Sequence, residues 1–372
     1  MHQVIIIGGG LAGLTSAIHL SQLGIDVMLI EKNAYPKHKV CGEYISNEVL
    51  PYLQYLGFDP FEYGAKKISR LTFSTTKGKT ILAALPLGGF GISRFCIDQA
   101  LAEKAISNGV KIIHQSVSDI HFENDLFHIT TNDASEYIAK VVIGAYGKRS
   151  NMDVKLDRSF MKESAPYLAV KGHYEGEFPA DLVGLHNFDG GYCGLSKVES
   201  DRINVCYITD YKSFKKYKNI EEFGREVVTK NEHLKKAFES MTPVFDKPLT
   251  ISQISFATKK PVENHILMCG DSASLIHPLA GNGMGMAIRS AYMASDLIGQ
   301  YFEGKIKSRK ELENRYTKTW QKEFKSRLAA GHIIARLFRL GFLTESLASL
   351  IRLFPNILTR IIKMTHGKSM II

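Results

Sequence analysis

The chain has 372 residues, 45% hydrophobic and 23% charged, which is enough to bury a sizeable core and excludes a disordered or low-complexity protein. Five scattered cysteines without a CxxC pair suggest neither a zinc site nor a disulfide framework; reduced thiols in a cytoplasmic protein are the expectation. The net charge of +10 is uneven, because 15 Lys and Arg face 4 Asp and Glu from Lys305 onward, leaving the preceding residues near neutrality.

The first apolar run, Val4 to Ile7, is too short for a signal h-region and lacks a basic flank. It reads as a buried strand. It runs into Gly8-Gly9-Gly10-Leu11-Ala12-Gly13, then into a helical pattern over residues 14–20, a second strand at Val27 to Ile30, and Glu31. Strand, glycine turn, helix, strand and acid within about thirty residues is the layout of a dinucleotide-binding βαβ unit. Gly8 permits the tight turn, Gly10 lets backbone approach a pyrophosphate, and Gly13 lets helix and strand pack closely. The helix N-terminus offers N–H groups and a partial positive charge to that pyrophosphate. Glu31 can accept from ribose hydroxyls and disfavours a 2′-phosphate, which suits FAD or NAD over NADP.

Five further segments follow in order. Lys39 to Ser46 contains Cys41-Gly42 after the second strand, and residues 91–101 read as a helix start carrying Arg94 and Asp98. Val141 to Ser150 is a strand ending in Gly144-Ala145-Tyr146-Gly147. Short strands at Tyr167–His173, His186–Phe188, Gly191–Leu195 and Ile203–Ile208, with a helical patch over Ile220–Ser240, predict an inserted antiparallel sheet. Finally, a buried strand ends in Gly270-Asp271, and Pro278 precedes Gly281-Asn282-Gly283-Met284, which opens a helix reaching about Ile298. On its residues alone, Asp271 could equally be a plain helix N-cap.

Taken together these segments resemble the flavoprotein aromatic hydroxylase and geranylgeranyl reductase superfamily, with its p-hydroxybenzoate hydroxylase-like fold. The resemblance spans residue 4 to about residue 300. It implies an α/β architecture: a Rossmann-like, glutathione-reductase-type FAD-binding domain from residues 1–65, 90–160 and 260–304, and an antiparallel β-sheet substrate domain from residues 66–89 and 161–259. Residues 305–372 form a C-terminal basic helical segment. The cofactor implied is FAD, with NAD(P)H or another donor as reductant. Gly8, Gly10, Leu11, Ala12, Gly13, Glu31 and Lys32 would hold its ADP half. Cys41, Gly42 and Arg94 would lie beside the flavin. Gly270 and Asp271 would bind the ribitol, while Pro278, Gly281, Asn282, Gly283 and Met284 would meet the isoalloxazine. A helix N-terminus there would stabilise the negative charge of reduced flavin.

Two positions depart from the family pattern. Tyr146 replaces an aspartate, which bears on the reductant, and Cys193 stands at a tryptophan position of the reductase segment, here Gly190 to Ser196. The only tryptophan is Trp320, so the tryptophan-rich motif of flavin halogenases is absent. No metal-ligand cluster and no Ser-His-Asp pattern is read. Cys41 and His277 are the catalytic candidates, with His173 and His186 as further sites of proton transfer; packing or hydrogen-bonded structural roles compete for each. The leading expectation is hydroxylation of a hydrophobic aromatic or polyketide-like substrate. Reduction of prenyl double bonds is the alternative, and a flavin-binding partner protein without catalysis, kept open by Tyr146, is a reading of another class.

In the tail, Ile333, Ile334, Leu337, Phe338, Leu347, Leu350, Ile351, Phe354, Ile357, Leu358, Ile361 and Ile362 recur at helical spacing, punctuated by Arg336, Arg339, Arg352, Arg360 and Lys363. Such a helix can lie on the inner face of the membrane or pack on the core with its cations solvated. Binding of the purified protein to anionic liposomes decides between the two. No nucleic-acid recognition motif accompanies the charge.

Overall fold

A computed structural model describes residues 1–339, Glu345, 349–351 and 356–372. Strands β1 (His2–Ile7) and β2 (Val27–Ile30) flank helix α1 (Leu11–Gln22) and pair in parallel, Val4 opposite Val27 and Ile7 opposite Ile30. Their side chains from Val4 to Ile7 are at most 4% exposed, as expected for a parallel sheet covered on both faces. The chain continues through β3 (Tyr44–Ser46), α2 (Leu50–Tyr55), β4 (Lys66–Ser74), β5 (Thr80–Gly91), α3 (Arg94–Ser107), β6 (Lys111–Ile113), β7 (Val117–Glu123), β8 (Leu126–Thr131), β9 (Glu136–Gly144) and α4 (Asn151–Lys155). Next come β10 (Tyr167–Glu175), β11 (Leu182–Phe188), β12 (Gly191–Lys197), β13 (Ile203–Asp210), α5 (Tyr211–Lys215), α6 (Ile220–Glu226), α7 (Glu232–Ser240), β14 (Thr242–Pro243) and β15 (Leu249–Ile254). The last elements are β16 (Val262–Glu263), β17 (Ile266–Met268), α8 (Gly283–Phe302), α9 (Arg309–Arg339) and α10 (Asn356–Thr365).

Two mixed sheets result. One has the order β16-β17-β9-β1-β2-β6, with β7 and β8 appended through β9; the other runs β14-β10-β13-β12-β11-β4-β5-β3, with β15 on β10. In the first, β1 sits between β2 and β9, so the turn after β1 opens at the carboxyl ends of the central strands, where α/β sheets bind ligands. The second sheet is antiparallel except that β4 and β11 pair in parallel, Arg70 opposite Leu182. No hairpin joins these two strands, so no tight turn imposes an antiparallel pairing. β3 is hydrogen-bonded into this second sheet, Tyr44 opposite Gly91, which draws the segment just after Cys41-Gly42 against it.

The helical patch over 220–240 divides into α6, a 3-10 turn at Val228–Lys230, and α7. Asn231 caps α7 and also donates to Ser74 Oγ, Thr75 O and Asn187 O, tying it to the sheet.

Two buried histidines impose a pH dependence on this fold. His19 contacts the Tyr52 hydroxyl at 2.9 Å and His186 contacts Ser74 Oγ at 2.8 Å, and burial lowers both from 6.5 to about 4. Between those values the unfolded chain binds protons that the native chain does not, so stability is lost as pH falls through that window. The slope approaches about 1.4 kcal/mol per pH unit for each residue. Above pH 6.5 neither contributes. Urea midpoints at about pH 7.5 and about pH 5.5 should therefore differ, and His186→Phe should flatten the difference; equal midpoints would contradict it.

Candidate functional site

The turn after β1 is built around two glycines. Gly8 has φ +105°, and a Cβ there would lie 2.4 Å from the Ala145 carbonyl oxygen; a Cβ on Gly13 would lie 1.9 Å from the Gly8 carbonyl oxygen. Helix α1 thus starts directly over the strand end. Its N-cap, Gly10, supplies no side-chain hydrogen bond and its first turn holds no acid; the same is true of α8, whose N-cap is Asn282. Both helix starts, Gly10 to Ala12 and Gly281 to Met284, line one cavity of about 360 Å³. Two uncapped sets of N–H groups and two partial positive charges therefore meet in one space, an arrangement that attracts anionic groups.

Gly270, at φ +62°, nests between these helices, a Cβ there falling 3.3 Å from the side chains of both Ala12 and Ala287. Asp271 lines the cavity from a 3-10 turn, Gly270–Ser272, whose N-cap is Cys269. It caps no helix. Two buried cations hold this turn. Lys259 Nζ donates to the carbonyls of Lys148 and Asp271, each at 2.7 Å, and lies 4.3 Å over the Phe160 ring; desolvation lowers it to about 8. Arg158, paired with Asp153 and Glu263, donates to the Ser272 carbonyl at 2.9 Å, and Ser272 Oγ accepts from Gly147 N–H at 2.8 Å.

Tyr146 turns away from the cavity. Its hydroxyl donates to Met268 Sδ at 3.2 Å and its phenol is pushed up by burial, while its neighbours Ala145, Gly147 and Lys148 form the wall. Tyr146 thus packs between the end of β9 and β17. Glu31 spends its carboxylate on the turn: it accepts from Gly9 N–H at 2.7 Å and from the backbone and side chain of Asn33 at 3.0 and 2.9 Å. Three bonds leave lone-pair capacity for one further donor. Lys32 is exposed and outside the cavity wall. Arg94 is in the wall, its guanidinium bidentate to Asp98 and 3.5 Å from where a Gly10 Cβ would stand.

Cys41 and Gly42 also line the cavity, with Cys41 Sγ 3.5 Å from Met284 Sδ and open space beside Gly42. Beneath them lies a charged cluster. Glu43 is fully buried, at φ +53°, and accepts from Lys171 Nζ, from Arg94 N–H at 2.7 Å and from His173 Nε2 at 2.7 Å. Lys171, also fully buried, donates to the Lys39 carbonyl at 3.2 Å, and Asn204 donates to the Cys41 carbonyl at 3.2 Å. Lys171 and His173 hold the Glu43 carboxyl below the ordinary range against its own desolvation. Residues 39–43 are thus strapped to β10 and β13.

Of the other histidines, His186 faces Ser74 and stacks on His233 at 5.3 Å, away from the cavity wall. His277 is buried beside Phe256, ring centroids 4.6 Å apart, and accepts from Leu279 N–H at 3.4 Å; its neighbours Ile276 and Pro278 line the cavity, but it does not.

Past Pro278 the cavity continues into an aliphatic chamber between Leu71 and Leu85 of the β4–β5 hairpin and Val183 and Leu185 of β11. The tail closes it: Leu358, Ile361 and Ile362 of α10 line the chamber, whereas Arg360, Lys363 and Met364 are exposed. Leu347, Arg352 and Phe354 lie outside the described residues, as do the side chains of Leu337, Phe338 and Arg339. Cys193 packs on the opposite side of its strand, with Leu168, Val170 and Phe188, while Tyr192 and Gly194 face the cavity. The side chain at this position therefore does not line the chamber. Among the described residues no helix is long and apolar enough to cross a membrane, and no group of His, Cys, Asp or Glu could hold a metal ion.

Sequence reasoning missed Glu43, Lys171, Lys259 and Arg158. Lys171 lies 128 residues from its carboxylate and leaves no local signal; Glu43, directly after Cys41-Gly42, could have been suspected as an acid inside a motif.

A family model described as an FAD binding domain matches residues 1–319. The digeranylgeranylglycerophospholipid reductase of Methanosarcina acetivorans is 24% identical over 86% of this chain and 81% of its own length. The menaquinone reductase of Mycobacterium tuberculosis is 20% identical over 80% of this chain and 76% of its own. Among solved structures, flavin-dependent brominase Bmp2 superposes with a TM-score of 0.81 at 18% identity, covering 98% of this chain and 93% of that one. The FAD-dependent monooxygenase pqsL of Pseudomonas aeruginosa gives 0.75 at 16% identity, covering 93% and 98%. The chain belongs to the FAD binding domain family. It is a flavoprotein of the FAD-dependent oxidoreductase class.

Proposed function

We propose that the protein uses FAD to reduce carbon–carbon double bonds in a long, apolar, isoprenoid-type substrate. The observation that carries this reading is the continuity of the cavity: the space between the two helix starts runs directly into an aliphatic chamber closed by α10. The digeranylgeranylglycerophospholipid and menaquinone reductases among the relatives support it. The first turn of α1 would face the FAD pyrophosphate, Glu31 and Asp271 its sugar hydroxyls, and Gly281 to Met284 the flavin ring. FAD held there and reduced by an external two-electron donor would supply a hydride to one alkene carbon, and the other carbon would take a proton, for which Cys41 in the cavity wall is the candidate donor. The chain aligns an unactivated apolar chain beside the ring and keeps water out, which its lining of Leu, Ile, Val and Phe side chains achieves. Cys193, which stands at the tryptophan position of the reductase segment, packs in the opposite core and so does not weigh against double-bond reduction.

The test is anaerobic turnover. Flavin-loaded protein reduced with dithionite, or with NADH or NADPH, and given a geranylgeranyl lipid should yield product with added hydrogen and no added oxygen. Leu185→Trp, which fills the chamber, should lower turnover of long chains by at least about tenfold while FAD content stays unchanged. Conversion that requires air and inserts oxygen would establish hydroxylation instead.

A further inference from the structure

We propose that His366 is a substrate-recognition residue whose Nε2 accepts a hydrogen bond from a hydroxyl group carried beside the substrate's apolar chain. The inference rests on reading the chamber as the substrate site. His366 follows α10 and lines the cavity next to Gly281 and Tyr44, its ring centroid 6.3 Å from that of Tyr44 and its Cε1 3.9 Å from where a Gly281 Cβ would stand.

Hydrogen bonding fixes its tautomer. His366 Nδ1 lies 3.1 Å from the Ile362 carbonyl and 3.2 Å from Thr365 Oγ1. A carbonyl only accepts, and the Thr365 hydroxyl proton already goes to Ile362 O at 3.0 Å, so Nδ1 carries the ring proton. Nε2 is then the acceptor, and it is buried with no partner among the described residues. Burial also lowers the pKa of the ring, which keeps it neutral.

The segment is not free to swing the ring away. Asn282 Nδ2 donates to the Thr365 carbonyl at 3.1 Å, Arg289 donates to the Lys368 carbonyl, and Met370 N–H donates to the carbonyl of buried Glu48 at 2.8 Å. An imidazole acceptor held in an apolar cavity costs free energy until a donor meets it. Asn282 Oδ1, another cavity residue's buried acceptor, is likewise unpartnered. The cations in the wall, Arg94 and Lys148, sit with Gly10 and Asp271 at the other end, and Arg94 is already paired with Asp98. Behind His366 the guanidinium groups of Arg327 and Arg289 are already paired with Glu48 and Glu323 and stand outside the cavity wall, so among the described residues an anionic head group meets no unpaired cation there, whereas a hydroxyl meets an acceptor. The substrate class is thus a prenylated phenol or a prenyl alcohol.

The experiment uses flavin-loaded protein and two matched pairs: a geranyl-substituted naphthol with its O-methyl ether, and geranylgeraniol with its methyl ether. Binding is read from the perturbation of flavin absorbance. At least one hydroxyl compound should bind about tenfold or more tightly than its ether, and the pair that shows it identifies the source as aromatic or aliphatic. His366→Phe should abolish that preference with FAD content and thermal midpoint unchanged, and His366→Gln, which keeps an acceptor, should restore part of it. Equal binding of hydroxyl and ether forms, no binding of either hydroxyl compound, or loss of FAD in His366→Phe would overturn the assignment. Discrimination without any double-bond reduction would leave it standing and count against the reductase reading alone.

Discussion

Replacing Glu43 by alanine is expected to destabilise the protein by about 3–5 kcal/mol, among the largest effects of any single change to a polar side chain here. The substitution leaves Lys171, fully buried, without its carboxylate and removes the acceptor for His173 and for the Arg94 backbone. Burying an ammonium group unpaired costs far more than the pair itself contributes, so the loss comes mainly from what remains. Glu43→Gln keeps the shape and one acceptor but not the charge, and should fall between. The decisive comparison is the double variant Glu43→Leu/Lys171→Met, which removes both charges and should recover most of the stability. Urea denaturation of the four proteins measures this. A Glu43→Ala variant within about 1 kcal/mol of the parent would show that the cluster is solvated or rearranges. Because the same cluster straps residues 39–43 to the second sheet, the single variant should also retain less FAD, and the double variant should show whether charge or packing holds the strap.

Gly13→Ala is expected to abolish FAD retention. The added Cβ would stand 1.9 Å from the Gly8 carbonyl oxygen and 3.1 Å from its carbon, both backbone atoms of the turn that α1 rises from. Backbone cannot yield as a flexible side chain can, so either α1 lifts from β1 or Gly8 leaves its φ of +105°. Both movements misalign the first turn of α1 with Asp271 and Gly270. A loss of about 3 kcal/mol would already weaken FAD binding by more than a hundredfold, which flavin content after gel filtration and titration of apoprotein would reveal. Gly224→Ala, in α6 with nothing within 4 Å of the new methyl and no positive φ, is the matched control and should be silent. Undiminished FAD in Gly13→Ala would mean that the turn is not built as described.

The contrast between these two sites shows what could be read along the chain. The Gly8–Gly13 turn, the acid at Glu31, the helix opening at Gly283 and the strands of the inserted sheet are local features. Their residue types dictate their conformation within a dozen positions: glycine where φ is positive or backbone touches backbone, β-branched runs where a strand is covered on both faces. Cofactor and fold class followed from them.

Long-range pairing decided the rest. Glu43 with Lys171, Lys259 with the Asp271 carbonyl and Asn282 with Thr365 are contacts between segments whose spacing carries no period, so nothing in the local pattern announces them. The same holds for direction. Alternation along β12 says that Cys193 faces one side of its strand, and Tyr146, two residues past β9, carries no such period; only the packed sheets reveal that both point to the core, so that neither departure touches the cavity. The basic tail is the clearest case. Its apolar stripe is equally suited to lipid or to protein, because the hydrophobic effect is non-directional, and the fold uses Leu358, Ile361 and Ile362 to line the chamber.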